Sequence, residues 1–365
     1  MSSDIKNKKT ILYKSHVDLN AKLIPFGGYF MPISYSNGIH SECYAVRNNI
    51  GIFDVSHMGE FIISGENAES FLNYVTINNV SKMQIGDAQY TAMCSDDGGI
   101  IDDLILYRLK EQEYLMVVNA TNIDKNFEWI NKHIINKVNL ENLSDYYSLI
   151  AIQGPNSRKI LNKITDIDLK IPFYSFTKGL VNDCSVILSR TGYTGELGFE
   201  IYGDGKSIKS IWKELVKLGA NPAGLASRDI LRLEMKYCLY GNDINISINP
   251  IEAGLGWITD FTKDNFIGKD SLLKIKKNGL KRKLVPFIMR ERGIARTDYE
   301  IFFNSKKIGY VTSGTQSPFL DNGIGLAYID LPYNKIGQEI YISIRQELKL
   351  GMIVSKFMSN TSLLK

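Results

Sequence analysis

The sequence predicts a multi-domain α+β protein that ends in a small all-β domain. Its 365 residues exceed what one ordinary compact core accommodates and fit two or three packed domains. Between residues 53 and 277, segments with strand alternation and segments with helical periodicity follow one another. Residues 284–365 instead contain short strands punctuated by Gly, Pro and Asn. The first pattern is typical of α+β domains, and the second favours a barrel or a sandwich.

Composition narrows the class of protein further. The apolar fraction of 44% and the charged fraction of 22% lie near globular averages and predict a folded chain. No segment approaches the roughly 18 apolar residues that a membrane-spanning helix requires, so no membrane association is predicted. The 43 basic residues are nearly balanced by 39 acidic ones and are scattered along the chain. Nucleic acid is therefore not predicted as a partner.

Cysteine spacing and the first residues bear on metal binding and compartment. The sequence has no CxxC pair of the kind that binds zinc or exchanges disulfides, because its cysteines are widely spaced, at Cys43, Cys94, Cys184 and Cys238. We therefore expect reduced, mostly buried thiols and no metal site. The opening MSSDIKNKKT lacks both the apolar core of a signal peptide and an arginine-rich import sequence. These features predict a cytosolic protein.

Periodicity in the first 277 residues predicts two α+β domains. Residues 38–50 are predicted to form a helix because apolar side chains recur at helical spacing, at Ile39, Cys43, Val46 and Ile50. Residues 53–139 are predicted to form an inserted α+β domain with two helices. The first carries an apolar face of Ala68, Phe71, Leu72 and Val75. The second carries a stripe of Ile123, Phe127, Ile130 and Ile134.

The remaining residues are assigned by the same patterns. Residues 140–277 alternate strands and helices and are predicted to join residues 1–52 in a discontinuous first α+β domain. The basic run KKNGLKRK at residues 276–283 is predicted to be a solvated linker, with an anion site as the less favoured alternative. Residues 284–365 then form the predicted C-terminal β-barrel domain.

Two adjacent carboxylates, Asp102 and Asp103, lie inside an apolar run that follows a turn at residues 96–99. Neighbouring residues of a strand point to opposite faces, so one of the two can be exposed while the other points inward. A buried carboxylate requires a cation or hydrogen-bond donors, and such groups concentrate at functional sites. Two interpretations remain open: a functional carboxylate, or a pair bonded to backbone amides in a turn.

A glycine-rich stretch, RTGYTGELGFEI, covers residues 190–201 and includes Tyr193, Glu196 and Glu200. Its three glycines allow positive φ angles and close backbone approach. The stretch is therefore either a tight turn or a loop that packs against a flat ligand. Its glycine spacing differs from GxGxxG, so a phosphate-binding loop is not predicted.

Two basic side chains are further candidates for a binding site. Arg228 begins a predicted helix, where its planar fork could clamp a carboxylate or a polar ring edge, or could pair with Asp229 or Glu234 on a solvated face. His57 is either a general base or a hydrogen-bonded structural histidine, and the second is the simpler interpretation because no partner is recognisable. Tyrosines near these motifs suit stacking on an aromatic ligand, namely Tyr90, Tyr107, Tyr174 and Tyr193.

These segments together resemble one known family. Eight ordered motifs carry the resemblance: FGGYFMPISY (26–35), FDVSHMGE (53–60), GGIIDDLILY (98–107), GYTGELGFEI (192–201), GLASRDILRLE (224–234), LYGNDI (239–244), GKD (268–270) and VTSGTQSPFLDNGIGLAYI (311–329). They occur in family order over nearly the whole chain. The sequence thus closely resembles the glycine-cleavage T-protein, or aminomethyltransferase, family.

The resemblance implies a fold and an activity that composition and periodicity do not. The implied fold is a three-domain cloverleaf around a central folate channel, with a C-terminal all-β barrel. The implied enzyme transfers the methylene unit from the aminomethyl-lipoyl group of H-protein to tetrahydrofolate. Its products are 5,10-methylenetetrahydrofolate, ammonia and dihydrolipoyl H-protein. The implied partners are lipoylated H-protein and, indirectly, the P- and L-proteins of the glycine cleavage system.

The resemblance also assigns roles residue by residue. The family's essential aspartate falls on Asp103, with Asp102 as the alternative register. The pterin-binding glutamate falls on Glu200, the ring-lining tyrosine on Tyr193 and the motif arginine on Arg228. Further positions expected to line the same channel are Tyr90, Tyr107, Val117, Asn119, Tyr174 and Met58. The C-terminal SKFMSNTSLLK departs from the family's pattern, so no folate or lipoyl-arm contact is assigned there.

Two relatives of the same fold offer alternative functions. A non-catalytic folate-binding protein that supports iron–sulfur proteins would carry a KGCYxGQE-like stretch, whereas residues 236–243 are KYCLYGND and fit the transferase better. A sarcosine or dimethylglycine dehydrogenase would add a flavin domain with a dinucleotide fingerprint, which this sequence lacks. A purely structural protein is a more distant alternative.

Overall fold

The computed structural model describes residues 7–358 and 361–363. Its helices are α1 (Tyr13–Asp18), α2 (Ile39–Asn48), α3 (Ala68–Val75), α4 (Ile123–His133), α5 (Ser157–Leu161), α6 (Gly205–Lys217), α7 (Leu225–Glu234) and α8 (Lys269–Asn278). Its strands up to residue 222 are β1 (Lys8–Lys9), β2 (Lys22–Phe26), β3 (Tyr29–Ser34), β4 (Gly51–Asp54), β5 (Gly59–Ser64), β6 (Ala88–Cys94), β7 (Ile100–Lys110), β8 (Glu113–Val118), β9 (Asn139–Asn142), β10 (Tyr147–Gln153), β11 (Phe176–Val181), β12 (Cys184–Ser189), β13 (Gly198–Asp204) and β14 (Asn221–Pro222). The C-terminal strands are β15 (Arg282–Met289), β16 (Glu300–Phe303), β17 (Lys306–Ser317), β18 (Asn322–Asp330), β19 (Glu339–Ile344) and β20 (Glu347–Ile353).

A six-stranded sheet with the order β11-β12-β13-β10-β4-β14 forms the first layer. Helix α6 packs on it because its apolar side chains recur on one face, and Ile208, Ile211, Trp212 and Leu215 are all buried. The Asp204 side chain begins this helix by accepting hydrogen bonds from the amides of Lys206 and Ser207. A small three-stranded sheet, β1-β3-β2, precedes this layer in the chain.

A five-stranded sheet with the order β6-β7-β8-β5-β9 forms the second layer. Helices α3 and α4 cover it, and both helices were predicted from periodicity. The predicted face of α3 is confirmed because Ala68, Phe71, Leu72 and Val75 are buried. On α4, Ile130 is fully buried, and the rest of the predicted stripe packs partly buried against the same core.

The C-terminal strands close a six-stranded barrel in the order β15-β18-β17-β16-β19-β20. Alternating residues such as Val285, Phe287 and Met289 point into its core, as a half-buried strand requires. The predicted C-terminal barrel is thereby confirmed.

The predicted linker at residues 276–283 is largely exposed, as expected, but only residues 279–281 connect two elements. Its first residues end helix α8, which Leu272 anchors in the core, and its last two residues begin barrel strand β15. There the Arg282 side chain donates a hydrogen bond to Glu252 at 2.9 Å. The basic composition of the run concealed these elements because its charged side chains lie on the outer sides of a helix and a strand whose other sides are buried.

Strand pairing bears on the predicted domain boundaries. Strand β4, which reaches Asp54, pairs with β10 of the six-stranded sheet, and β9 at residues 139–142 pairs with β5 of the five-stranded sheet. The chain therefore changes sheet at residues 55–58 and 143–146, a few residues after the predicted boundaries at 53 and 139. The division into a discontinuous domain and an inserted one stays a prediction, and its outer limits, residues 1 and 365, lie outside the described residues.

None of the helices in the described ranges has the length and apolar character that a membrane crossing requires.

Candidate functional site

A cavity of about 1280 Å³ lies where the six-stranded sheet, the five-stranded sheet and helix α7 meet the barrel strand β15. Most residues that the family resemblance assigned to a folate channel line this one cavity. They are Met58, Tyr90, Asp103, Val117, Asn119, Tyr174, Tyr193, Glu200 and Arg228. These residues lie far apart in the sequence, and the packing of the sheets brings their side chains together. Their roles remain predictions.

The two carboxylates of strand β7 point to opposite faces, as the strand pleat requires. Asp103 lines the cavity and accepts a hydrogen bond from the Tyr90 hydroxyl at 2.8 Å. Asp102 is fully buried and does not line the cavity. Burial raises the pKa of Asp103, whereas the hydrogen bonds from Tyr90 and Asn119 oppose the rise. A ligand in the cavity can therefore reach Asp103 and not its neighbour.

A cage of amides surrounds Asp102. Its oxygens accept hydrogen bonds from the side chains of Asn119 at 2.8 Å, Asn122 at 2.7 Å and Asn126 at 2.5 Å. The Asn119 amide also donates to Asp103 at 2.9 Å and so bridges the two carboxylates. Burial, with the adjacent Asp103 as the second cause, raises the pKa of Asp102 to about 7. The hydrogen bonds of the cage offset the free-energy cost of burying Asp102. Asp103 is then the carboxylate that faces a ligand.

Glu200 lies on β13 and lines the same cavity. It is buried and accepts a hydrogen bond from the Thr191 hydroxyl. Burial raises its pKa, while the Thr191 hydrogen bond and the nearby Arg228 lower it. The prediction that Tyr107 lines the cavity is wrong, because Tyr107 is fully buried and bonds the Tyr202 hydroxyl at 2.9 Å. Tyr202 occupies the wall instead.

Arg228 projects from the first turn of α7 into the cavity. Its guanidinium donates no hydrogen bond to any residue that the structure describes, and its Nη1 atom is buried. Its carbon Cζ lies 4.9 Å from the centre of the Tyr193 ring, which is within cation–π distance. The alternative of an ion pair on a solvated face does not hold, because Asp229 pairs with Arg232 and Glu234 pairs with Arg47.

The glycine-rich stretch before β13 packs tightly on Gln153. A Cβ atom at Gly192 would lie 2.2 Å from the Gln153 side chain, and one at Gly198 would lie 2.3 Å from it. Gly195 adopts a φ angle of +77°, which favours glycine. These glycines therefore satisfy a close approach and a turn within the protein, and the same stretch places Tyr193 in the cavity wall.

Comparison with known proteins shows the family to which this chain belongs. Residues 12–263 match the family model of the GCVT N-terminal domain, and residues 282–358 match that of the glycine cleavage T-protein C-terminal barrel domain. The chain belongs to the glycine cleavage T-protein family. It is 48% identical to the aminomethyltransferase of Halothermothrix orenii over 352 residues, which cover 95% of this chain and 98% of that protein. It is 47% identical to the aminomethyltransferase of Flavobacterium psychrophilum over 354 residues, with 95% and 98% covered.

A solved structure shows the fold of this T-protein family member. The crystal structure of glycine cleavage system aminomethyltransferase T from Bartonella henselae superposes with a TM-score of 0.93 at 30% sequence identity. The match covers 98% of this chain and 100% of that one. The predicted T-protein fold, with its closed C-terminal barrel, is thereby confirmed.

His57 departs from the simpler interpretation of a hydrogen-bonded structural histidine. It lies in the turn between β4 and β5 and lines the cavity of this T-protein family member, with only 4% of its surface exposed. Neither ring nitrogen bonds another described residue, and Nδ1 is completely buried. Burial, assisted by the positive charge of Arg228 and opposed by Asp54, lowers the pKa of His57 to about 4.

Several cavity residues were not predicted from the sequence. Phe26 lies edge-to-face with His57 at 5.6 Å between ring centroids, and Trp257 lies 6.1 Å from the Tyr90 ring. Tyr237 stacks on Tyr193 at 5.7 Å. Phe26 begins one family motif, and Tyr237 lies between two others. Their position in or beside these motifs was the sequence signal that could have placed them in the cavity. Trp257 lies in a segment without periodicity and had no such signal.

The C-terminal segment contacts the glycine-rich stretch of this T-protein family member. The Ser362 amide donates to Glu196 at 2.8 Å, and the Leu197 amide donates to the Ser362 hydroxyl at 2.9 Å. Residues 359–360 and 364–365 of this segment lie outside the described residues. Across the described ranges, no group of three or more His, Cys, Asp or Glu side chains is placed to hold a metal ion.

Proposed function

We propose that this chain is the aminomethyltransferase of a glycine cleavage system. It transfers the methylene unit from the aminomethyl-lipoyl group of H-protein to tetrahydrofolate and releases ammonia and dihydrolipoyl H-protein. One observation carries the proposal beyond family membership: a single cavity is lined by the candidate catalytic carboxylate Asp103 together with Glu200 and Arg228.

Glu200 and Arg228 are proposed to hold the pterin end of the folate substrate. A carboxylate matches an edge with two donors, and the Thr191 hydroxyl keeps the carboxylate of Glu200 in one orientation. The Arg228 guanidinium stays charged at neutral pH, so it binds and orients rather than transferring protons. Its Nη1 atom has no partner among the described residues, and the guanidinium lies beside the Tyr193 ring, which also lines the cavity.

Asp103 is proposed to act on the reacting atoms. One folate nitrogen attacks the methylene carbon as its bond to ammonia breaks. The carbon–sulfur bond to the lipoyl arm then breaks, its electron pair leaves on the thiolate, which takes up a proton, and the one-carbon unit becomes a cationic iminium on the folate. A carboxylate beside that carbon stabilises the developing positive charge. It also orients the folate nitrogen at position ten and accepts its proton as the second carbon–nitrogen bond closes. Tyr90 and Asn119 fix the carboxylate in place through hydrogen bonds at 2.8 Å and 2.9 Å.

The partner and the compartment follow from the same proposal. A lipoyl arm is long and flexible enough to bring its aminomethyl group from a docked H-protein into an enclosed cavity. The P- and L-proteins are then indirect partners that load and reoxidise the same arm. We propose the cytosol as the location.

The decisive experiment measures turnover with aminomethylated H-protein and tetrahydrofolate. Asp103→Asn removes the charge at constant size, so it should reduce kcat by roughly 100- to 1000-fold, the usual effect of losing one preorganised electrostatic group. Asp102→Asn should reduce kcat much less, although it removes the acceptor of the amide cage and should lower the thermal midpoint.

Three outcomes would contradict the proposal. Near-normal turnover in Asp103→Asn with no turnover in Asp102→Asn would exchange the roles of the two carboxylates. Normal turnover in both variants would exclude the carboxylate mechanism. Tetrahydrofolate binding by the wild-type protein without any turnover would favour the non-catalytic folate-binding alternative.

A further inference from the structure

Two buried histidines of this chain have opposite environments. His16 is completely buried, and both of its ring nitrogens are used: Nδ1 pairs with the Tyr35 hydroxyl at 2.8 Å, and Nε2 pairs with Asp54 at 2.9 Å. His57 is nearly as buried but has no hydrogen-bond partner among residues 7–358 and 361–363. The protein thus satisfies one imidazole fully and leaves the other without any polar contact.

An unsatisfied buried imidazole lowers the stability of the folded protein. A neutral imidazole has one donor and one acceptor nitrogen, and removing Nδ1 of His57 from water without a replacement partner costs free energy. The turn at residues 55–58 offers no compensation, because Asp54, the carboxylate whose charge acts on His57, already bonds His16, Thr10 and the Ser56 amide. A group of this kind persists when its partner arrives with a ligand.

The position of His57 indicates which ligand supplies that partner. The residue lines the main cavity in the turn that connects the six-stranded sheet to the five-stranded sheet. The ring lies edge-to-face with Phe26, and the charge of Arg228 acts on it from α7. Arg228 is also the charge that acts on Glu200, so His57 belongs to the end of the cavity assigned above to the pterin.

We propose that His57, as a neutral imidazole, forms a hydrogen bond through Nε2, the ring nitrogen that is not completely buried, with the pterin end of the bound folate. It is a binding residue, and it leaves proton transfer to Asp103. The proposal rests on the proposed function, because it assumes that folate occupies this cavity. It differs from a structural role, because a structural histidine would have protein partners, as His16 has.

The test compares three variants by calorimetry with tetrahydrofolate. His57→Phe keeps a flat ring and removes both polar nitrogens, so the dissociation constant should rise about tenfold, the value of one lost hydrogen bond. His57→Gln keeps a neutral donor and acceptor and should recover part of that loss. His133→Gln is the matched control, because His133 bonds the Trp129 carbonyl outside the cavity and should leave the affinity unchanged.

A spectroscopic measurement on the wild-type protein makes the test independent of whether a variant folds. The chain has 4 histidines, so their ring nitrogens can be assigned by NMR after selective labelling. The His57 nitrogen shifts should move when tetrahydrofolate is added, and those of His133 should not. Unmoved His57 shifts, or equal affinity in His57→Phe and wild type, would overturn the inference. Failure of the wild-type protein to bind tetrahydrofolate would instead overturn the proposed function.

Discussion

Two arginines one turn apart on helix α7 have contrasting surroundings. Arg232 bonds Asp243 at 2.6 Å, Ser313 at 2.9 Å and the Tyr237 carbonyl at 2.9 Å. Arg228 donates no hydrogen bond to any described residue. The first arginine joins α7 to the barrel, and we call Arg232, Asp243 and Ser313 with their hydrogen bonds the α7–barrel seam. Both arginines line the cavity, and only Arg228 does so without a hydrogen-bond partner among the described residues.

The contrast shows how this chain separates folding from binding. In the seam, every carboxylate oxygen of Asp243 has a donor, including the Thr312 hydroxyl and the Leu239 amide. Such a network holds domains together and has no capacity left for a ligand. In the cavity wall, Arg228 and His57 retain unused hydrogen-bonding atoms, which a polar substrate can satisfy. The two sets of residues should therefore respond differently to substitution.

The largest effect is expected in the seam. Arg232→Met leaves Asp243 buried without its cation, which typically costs about 3 to 5 kcal/mol. Chemical denaturation followed by tryptophan fluorescence should show a lower midpoint. Arg228→Met is the matched control on the same helix and should leave the midpoint nearly unchanged while weakening tetrahydrofolate binding. Equal midpoints in the two variants would mean that the seam does not stabilise the fold.

A smaller effect is expected in the wall, where binding rather than stability should change. Glu200→Gln keeps the shape and removes the charge that is proposed to bind the pterin edge. A charge-assisted hydrogen bond contributes roughly 1.5 to 3 kcal/mol, so the dissociation constant for tetrahydrofolate should rise about 10- to 150-fold in calorimetry. The conservative variant Glu196→Gln serves as a comparison, since Glu196 bonds Arg47 and Ser362 away from the cavity. Affinity lost in Glu196→Gln but kept in Glu200→Gln would move the pterin site.

The smallest effect is expected at Glu60, which tests whether unused polar atoms occur only in the cavity wall. Both of its carboxyl oxygens are buried without a partner among the described residues, yet Glu60 does not line the cavity. Burial raises its pKa well above the ordinary value of about 4.5. Between the ordinary pKa and the raised pKa of the folded protein, the unfolded chain releases the Glu60 proton while the folded protein retains it. The free energy of unfolding therefore falls as the pH rises from about 4.5 towards the raised pKa.

Glu60→Gln should remove this pH dependence. The thermal midpoint of the variant should exceed that of the wild type at neutral pH and approach it in mild acid. Tetrahydrofolate affinity should be unchanged, because Glu60 lies outside the cavity wall. A loss of affinity would mean that an unsatisfied group outside the wall also belongs to the binding site.

Local patterns were enough to predict much of the architecture. Helices α2, α3 and α4 and the C-terminal barrel were predicted because each buries a face whose period is visible in a short segment. The opposite directions of Asp102 and Asp103 follow from the strand pleat alone. Resemblance to the family then assigned binding roles to Glu200 and Arg228, which no local pattern distinguishes from neighbouring charged residues, and those roles stay predictions.

Only the tertiary structure decided which polar groups the protein satisfies by itself. Arg228 and Arg232 occur in one motif, but the seam that satisfies Arg232 includes Ser313, which is 81 positions away in sequence. Tyr107 was expected in the cavity and instead bonds Tyr202, because two sheets pack together at that point. The sequence by itself determines the period of each buried face, since that depends on adjacent residues. The partner of a buried polar atom depends on how distant segments pack, and that depends on the whole fold.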